Sequence, residues 1–168
     1  MSDNFGISGG GRQVEAAFRE ITGAGPAPRA ALGDAVLDGC AIEVKSATAN
    51  TLNQVRAVKY IPLVAYHHPS ASWFVVPAHD VVRLVSSKRR GQHTENPFES
   101  ATLSINSLQD FRVHRDSELE GAVRDAIRSA ARFPRLQEAM SNVLRDSQDL
   151  AAQSVRDVRA ILIDERLL

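Results

Sequence analysis

The spacing of hydrophobic residues changes several times along this chain, and the first pattern is helical. Within residues 12–22 the apolar side chains recur every three or four positions, which predicts a short amphipathic helix. Glycines and prolines within residues 23–28 end that pattern. Residues 1–11 are rich in glycine, serine, aspartate and asparagine and predict a flexible N-terminal arm.

The next pattern predicts a β-hairpin. Residues 34–38 and residues 40–45 are short apolar runs, and the Asp38-Gly39 pair at their junction is typical of a tight type I′ turn. The segment that follows, residues 46–53, is polar and small. We therefore expect two antiparallel strands joined at Asp38 and Gly39.

Two further strands and two helices are predicted downstream of this hairpin. Residues 54–59 favour a short helix, although the β-branched residues among them also suit a strand. Residues 61–66 and 72–76 are rich in β-forming residues and predict a second hairpin, with its turn at residues 67–70. Residues 78–85 predict a helix that packs back on the sheet.

The remaining chain divides into an irregular part and a helical part. Residues 86–116 are mostly polar around one short apolar run, and we expect a long irregular excursion that reads the substrate. Residues 117–120 have the Ser-x-x-Glu spacing of a capping box, which predicts a helix start. Because Pro134 interrupts the helical pattern, residues 117–168 are expected to form two helices that pack on the core or make a dimer seam.

Size and charge narrow the class of protein. A chain of 168 residues with 43% hydrophobic residues fits one domain. Its 20 basic and 20 acidic residues cancel, which argues against binding nucleic acid through net charge alone. The densest basic cluster is a candidate for phosphate contacts, with a solvated surface loop as the alternative. This cluster consists of Arg83, Lys88, Arg89 and Arg90.

The single cysteine and the absence of long apolar runs bear on the compartment. Cys40 has no second cysteine with which to form a disulfide, which suits a reducing environment. Residues 1–30 lack the apolar stretch of a signal peptide, and no run approaches the roughly 20 residues needed to span a bilayer. We therefore expect a cytoplasmic protein with no membrane partner.

The second strand of the first hairpin carries an acid and a base two positions apart. Side chains alternate along a strand, so Glu43 and Lys45 are expected to share one face while Ile42 and Val44 share the other. The hairpin brings Asp34 close to Glu43, and adjacent carboxylates repel each other unless a cation lies between them. Oxygen ligands suit Mg²⁺ or Mn²⁺, and the Val44 carbonyl is expected to complete the inner shell.

A lysine beside such a cation can orient an attacking water or stabilise the charge that develops on a phosphate. The order of Asp34 and Glu43-Val44-Lys45 at the end of a hairpin resembles the PD-(D/E)xK nuclease superfamily, which includes type II restriction enzymes and archaeal Holliday-junction resolvases. The resemblance extends over about residues 12–85. It implies an α/β fold with a restriction-endonuclease-like mixed β-sheet core flanked by helices, here with a C-terminal helical extension. It also implies that Asp34 and Glu43 are metal ligands and that Lys45 is the catalytic lysine.

The resemblance implies two further site residues. Relatives place a glutamate on the N-terminal helix, which corresponds here to Glu15 or Glu20, and Glu15 is preferred because the buried face of the helix lies beside it. Gln54 falls where some members have a glutamine that supports the site. The sequence departs from the family pattern at Gly33, where a proline often precedes the aspartate. Asp38 is an alternative for the first metal ligand.

The expected function is that of a Mg²⁺-dependent DNA endonuclease, in which Mn²⁺ can substitute, acting as a homodimer so that two sites cut two strands. Restriction of foreign DNA is the first interpretation, and junction resolution or repair is the second. The rival from another class is a non-catalytic nucleic-acid-binding subunit that keeps the nuclease fold. A nuclease toxin or a subunit of a larger defence complex is a third interpretation.

Other polar and aromatic residues mostly suit structural positions. His67 and His68 fit a turn, and His79 fits a helix start because no nucleophile completes a catalytic set with it. Trp73 and Phe74 alternate across a strand, so at least one of them is expected in the core. Three residues in or beside the excursion are candidates to reach DNA, namely Asn96, Phe98 and Arg112.

Overall fold

A mixed β-sheet lies at the centre of the protein, and helices pack on both of its faces. The computed structural model describes residues 6–145 and 151–168. The strands are β1 (Gly25–Pro26), β2 (Ala35–Leu37), β3 (Cys40–Ala47), β4 (Thr51–Val55), β5 (Leu63–His67), β6 (Ser72–Val76), β7 (Ala101–Ser104) and β8 (Arg112–Val113). The helices are α1 (Gly11–Thr22), α2 (Ala78–Val85), α3 (Leu119–Ala130), α4 (Pro134–Arg145) and α5 (Ala151–Asp164).

The central sheet has six strands in the order β1-β2-β3-β5-β6-β8. Strands β3 and β5 are parallel, and the other neighbours in this sheet are antiparallel. Strands β4 and β7 form a separate antiparallel pair. The predicted α/β class, with a mixed sheet flanked by helices, is confirmed at this level.

The first hairpin is present with the predicted turn. Strand β2 pairs with β3 so that Ala35 lies opposite Ile42. At the turn, Asp38 has φ 51° and Gly39 has φ 76°, and positive values at both central residues are what a type I′ turn requires. Strand β3 continues to Ala47, beyond the predicted end at residue 45.

One face of the sheet packs on the helices α1 and α3. Val44 and Trp73 belong to a buried cluster with Phe18 of α1 and Leu119 of α3. The rings of Phe18 and Trp73 are 6.1 Å apart between centroids. Burying a side chain of this size stabilises the fold by roughly 1.5–3 kcal/mol, so α1 is held against the sheet next to β3.

The opposite face is covered by α2, the pair β4–β7 and the C-terminal helices. Leu63 and Phe74 of the sheet share a buried cluster with Val82 of α2, Leu136 of α4 and Leu162 of α5. The apolar stripes of α4 and α5 are therefore buried within the chain itself. No helix in the two described ranges has the length and hydrophobicity needed to cross a membrane.

The segment predicted as a short helix at residues 54–59 is instead the end of a strand and a turn. Strand β4 ends at Val55, and a 3-10 turn follows at Ala57–Lys59. Leu52 and Val55 are buried while the residues between them are exposed, and β4 finds its partner in β7. That partner lies about fifty residues away, so the local pattern that favoured a helix did not contain the interaction that decides the structure.

The segment at residues 86–116 is not a wholly irregular excursion. It contains β7, a 3-10 helix at Ile105–Phe111 and strand β8. Phe98, Leu103 and Leu108 are buried in the same cluster as the strands of the sheet. The expectation was wrong because the apolar residues of this segment are spaced irregularly, although together they complete the core.

The C-terminal helices differ from the prediction in start and number. A 3-10 turn occupies Asp116–Glu118, so α3 begins at Leu119 and its N-cap residue forms no side-chain capping bond. The capping-box prediction is therefore wrong. Pro134 does separate two helices, as predicted, but the described residues hold α4 and α5 where one helix was expected. The segment between them, residues 146–150, lies outside the described residues, as do residues 1–5 of the predicted arm.

Candidate active site

Strand β3 presents Glu43 and Lys45 on one face, as strand alternation predicts. The Lys45 Nζ lies 3.4 Å from the Glu43 Oε1, and the two side chains are 20% and 15% exposed. Their partners in the parallel strand β5 are the buried residues Leu63 and Ala65. The acid and the base therefore lie side by side, largely shielded from water, at the centre of the sheet.

A second lysine joins this pair. Lys59 donates a hydrogen bond from its Nζ to the Glu43 Oε2 over 2.8 Å, and its side chain is 15% exposed. It ends the 3-10 turn before β5, and the amide of Glu43 donates to the carbonyl of Pro62, the residue just before β5. The parallel pairing of β3 and β5 therefore brings Lys59 to Glu43. Sequence reasoning missed it because the segment was assigned to a helix and no motif marks the lysine.

Asp34 is fixed to the backbone of β3. Its Oδ2 accepts a hydrogen bond from the Val44 amide over 2.8 Å, and its own amide donates to the Ile42 carbonyl over 2.9 Å. Strand β2 begins only at Ala35, so Asp34 satisfies a β3 amide that the β2–β3 ladder does not reach. The carboxylate is thereby held at Val44, the residue between the acid and the base of β3.

Gly33, the residue before Asp34, lies so close to the backbone of β3 that a side chain would not fit there. A Cβ on Gly33 would lie 2.9 Å from the Ile42 carbonyl oxygen and 3.2 Å from the Ile42 amide nitrogen. Both neighbours are backbone atoms, so neither moves aside easily. The close approach of the chain to Ile42 beside Asp34 therefore disfavours any residue with a Cβ at position 33, proline included.

Asp38, the alternative first ligand, lies at the other end of β2. It is in the exposed hairpin turn, where it forms an ion pair with Arg124 of α3. Of the two aspartates, Asp34 is therefore the one that contacts β3 beside Glu43.

Glu15 lies on α1 within the electrostatic field of the other two carboxylates. Burial raises the pKa of Glu15 above its ordinary value, the charge of Asp34 raises it further, and Glu43 adds to the same effect. The nearby Arg12 and Arg19 lower the same pKa. Glu20, its rival on this helix, is exposed. Of the two glutamates on α1, Glu15 is therefore the one whose pKa responds to the charges of Asp34 and Glu43.

These residues offer oxygen ligands, but they do not form a complete protein cage for a metal. Within the described ranges, no group of three or more His, Cys, Asp or Glu side chains is arranged to hold an ion. Mg²⁺ commonly keeps several waters and binds through only one or two carboxylates, which the pair Asp34 and Glu43 can supply. The amide and carbonyl of a strand residue point to the same edge, so the Val44 carbonyl faces the edge that Asp34 occupies. The donor set therefore fits a largely hydrated Mg²⁺ or Mn²⁺.

A polar cavity of about 390 Å³ adjoins Lys45. It is lined on its other sides by backbone and side chains of the β3–β4 connection and by the first residue of α1, Gly11. The polar side chains at its wall are those of Ser46, Thr48, Thr51 and Asn53. Hydroxyl and amide groups of this kind donate hydrogen bonds to phosphate oxygens, so the cavity offers room for a phosphodiester beside the lysine.

Gln54 has a different position from the one expected. It lies on β4 with φ 53°, is exposed, and its amide donates to the Gln92 Oε1 over 2.7 Å. The helix that would have carried it beside the site is absent, since that segment is a strand. Within the described part of the chain, Gln54 forms no hydrogen bond to Glu43 or Lys45, and its supporting role remains a prediction.

The basic cluster is divided between paired and exposed residues. Arg83 on α2 donates to Asp80 over 2.9 Å. Lys88, Arg89 and Arg90 follow the helix and are exposed, with Arg90 3.9 Å from a glutamate. The exposed three are the part of this cluster that can meet a phosphate backbone.

Two of the residues suggested for DNA contact are in the interior. Phe98 is fully buried, and the Asn96 side chain accepts a hydrogen bond from the Phe98 amide. Arg112 on β8 is exposed. Trp73 and Phe74 are both buried, as the expectation of a core aromatic allowed.

The histidines have mostly structural surroundings. His79 is buried against Phe133, with 4.6 Å between ring centroids, and its Nε2 lies 3.2 Å from Asp80. Burial lowers the pKa of His79 despite the attraction of that carboxylate. His68, in the turn after β5, lies with its Nε2 3.0 Å from the Ser46 hydroxyl. His79 is therefore a buried helix-start residue, as expected.

We compared the chain with models of protein families, with curated proteins and with solved structures, and none of these comparisons found a match.

Proposed function

We propose that this protein is a Mg²⁺-dependent DNA endonuclease with a restriction-endonuclease-like core and its catalytic centre at Asp34, Glu43 and Lys45. The observation that carries the proposal is the hydrogen bond from the Val44 amide to the Asp34 carboxylate, which fixes Asp34 beside the strand that carries Glu43 and Lys45. An N-terminal helix and a hairpin that carries Asp34, Glu43 and Lys45 support the proposal, together with the mixed sheet to which the hairpin belongs.

Each residue has a distinct task in the proposed site. Asp34 and Glu43 would hold the metal, with the Val44 carbonyl as a third oxygen, and Glu15 would add negative charge to the site. When bound, Mg²⁺ acts as a Lewis acid on the phosphate and lowers the pKa of its water. Lys45 stabilises the negative charge that develops on the phosphate in the transition state.

The choice of DNA and of a homodimer rests on further features. The exposed residues 88–90 supply positive charge on a chain with no net charge, and the polar cavity beside Lys45 accommodates a phosphodiester. A dimer of such sites would cut both strands of a duplex. Restriction of foreign DNA is our first proposed role, with junction resolution or repair as the alternative.

One observation favours the non-catalytic rival. Both oxygens of Glu43 are occupied by lysines, Oε1 by Lys45 and Oε2 by Lys59. An ion-pair network of this kind can be a structural element of a binding subunit that never takes up a metal. The enzyme is favoured by Asp34, which is fixed at Val44 and offers a second carboxylate beside the strand that carries Glu43.

Cleavage of plasmid DNA tests the proposal. We expect the purified protein to nick or cut plasmid with Mg²⁺ or Mn²⁺ and to lose this activity with EDTA. Glu43→Gln and Lys45→Met should each reduce the rate by about a hundredfold or more, because each removes a group that acts on the transition state. Glu15→Gln should reduce the rate, whereas Glu20→Gln, an exposed change on the same helix, should not.

Two results would count against the site or the function. If Glu43→Gln and Lys45→Met cut at the wild-type rate, the site lies elsewhere. If no duplex, single-stranded or four-way-junction DNA is cut with either metal, the endonuclease proposal fails and the binding subunit becomes the favoured interpretation.

A further inference from the structure

Lys59 is the residue of the site that sequence analysis did not anticipate. Its 2.8 Å contact with the Glu43 Oε2 is shorter than the 3.4 Å contact of Lys45 with Oε1. Hydrogen bonds between ionised partners are shorter and stronger than neutral ones. In the protein without metal, Lys59 is therefore the stronger of the two partners of Glu43.

The ammonium of Lys59 occupies an oxygen that the proposed metal needs. A divalent cation that binds Glu43 through Oε2 must displace this lysine, and one that binds through Oε1 meets its positive charge at close range. Lys45 and Lys59 each bring a positive charge to Glu43. Loss of Lys59 removes one of these charges and so makes the site more favourable for a cation.

The surroundings give the lysine a place to move. Lys59 lines a largely apolar cavity of about 320 Å³, together with Tyr60, Pro62 and residues of α3. A long side chain can keep its methylenes against such a wall while its ammonium shifts. The cavity therefore offers space into which the Lys59 side chain can move when it releases Glu43.

We propose that Lys59 is the internal counter-ion of the site, which holds Glu43 in the metal-free protein and competes with the divalent cation for that carboxylate. This inference rests on the proposed metal site. Lys59 is thus a positioning residue that acts through Glu43, and it sets the metal concentration at which the site fills.

Metal binding to the intact protein tests this inference directly. In Mn²⁺ titrations followed by calorimetry, Lys59→Met should lower the dissociation constant about tenfold, because a charge-assisted bond no longer has to be broken. Lys59→Arg, which keeps the charge, should stay near the wild-type value. Lys88→Met, an exposed lysine outside the site, is the matched control and should leave the affinity unchanged.

The outcomes separate this inference from the proposed function. If wild type binds Mn²⁺ and Lys59→Met binds it equally or more weakly, Lys59 is no competitor and the inference fails alone. If Lys59→Met binds more tightly but no DNA is cut by any form, the inference stands and the nuclease proposal fails. If neither form binds Mn²⁺, both are overturned.

A measurement on the wild-type chain serves if Lys59→Met does not fold. Addition of Mg²⁺ should shift the side-chain NMR signals of Lys59, because its partner is taken away, and should leave those of Lys88 in place. Unmoved Lys59 signals in a protein that binds Mg²⁺ would overturn the inference.

Discussion

Asp34 combines a structural contact with a proposed chemical role, and two substitutions separate them. Asparagine keeps a side-chain oxygen that can accept from the Val44 amide, but it loses the negative charge. Alanine loses both the charge and the acceptor. The proposed metal site needs the charge, whereas the Val44 amide of β3 needs only the acceptor.

The structural cost follows from the 2.8 Å bond between the Val44 amide and the Asp34 Oδ2. A hydrogen bond to a charged group contributes roughly 1.5–3 kcal/mol, and because Asp34 is only half-buried, water can replace part of it. We therefore expect Asp34→Ala to lower the free energy of unfolding by about 1–2 kcal/mol, and Asp34→Asn by less than about 1 kcal/mol. For a chain of this size, each kcal/mol corresponds to about 2–4 °C in Tm.

The chemical cost should follow a different order. Both variants lack the negative charge, so both should lose plasmid cleavage by about a hundredfold or more at saturating Mg²⁺. Urea denaturation measures the first quantity and plasmid nicking the second. If Asp34→Asn cuts at the wild-type rate, Asp34 has only the structural role of accepting the Val44 amide. If Asp34→Asn is as unstable as Asp34→Ala, the bond to Val44 depends on charge and the separation fails.

Two further predictions concern pH and salt. Burial lowers the pKa of His79 in the folded protein. Below about pH 6.5, its ordinary pKa, the unfolded chain therefore takes up a proton at this residue more readily than the folded chain does. The free energy of unfolding should fall as the pH drops below that value. Urea denaturation at a series of pH values measures this fall, which His79→Gln should make shallower. The control His114→Gln changes an exposed histidine and should give the wild-type slope. Equal slopes in all three proteins would refute the role of His79. Alanine at residues 88–90 should weaken binding to duplex DNA and flatten its salt dependence by up to about 0.9 in the logarithmic slope for each phosphate that the variant no longer neutralises. Arg145→Ala on α4 is the control, and an unaltered slope in the 88–90 variant would place the DNA elsewhere.

Elements with local signals could be predicted from the sequence. Strand β6 and helix α2 have the predicted bounds, because Pro77 separates a β-branched run from a helical one. The first hairpin was predicted from Asp38-Gly39, whose residues adopt the backbone conformation that this pair favours. The shared face of Glu43 and Lys45 followed from strand alternation alone.

Features that depend on distant partners were not predicted. Lys59 reaches Glu43 through the parallel pairing of β3 and β5, which no nearby residue signals. The segment predicted as a helix at residues 54–59 is the end of β4 followed by a turn, because β4 pairs with the distant strand β7. In both cases the tertiary pairing of strands decided where the residues lie.

The pairing of β4 with β7 also has consequences for how the chain folds. Strand β4 follows the strand that carries Glu43 and Lys45, yet its hydrogen-bonding partner is Ala101–Ser104. Pairing of β4 with β7 closes a long loop, and the chain loses conformational entropy before the pairing can stabilise the fold. We therefore expect this step of folding to be slow. During synthesis β4 lacks its partner until residue 104 has left the ribosome. A fragment that ends at residue 85 would retain the proposed catalytic residues while leaving Leu52 and Val55 without their cover, and it would tend to aggregate rather than act as a minimal nuclease.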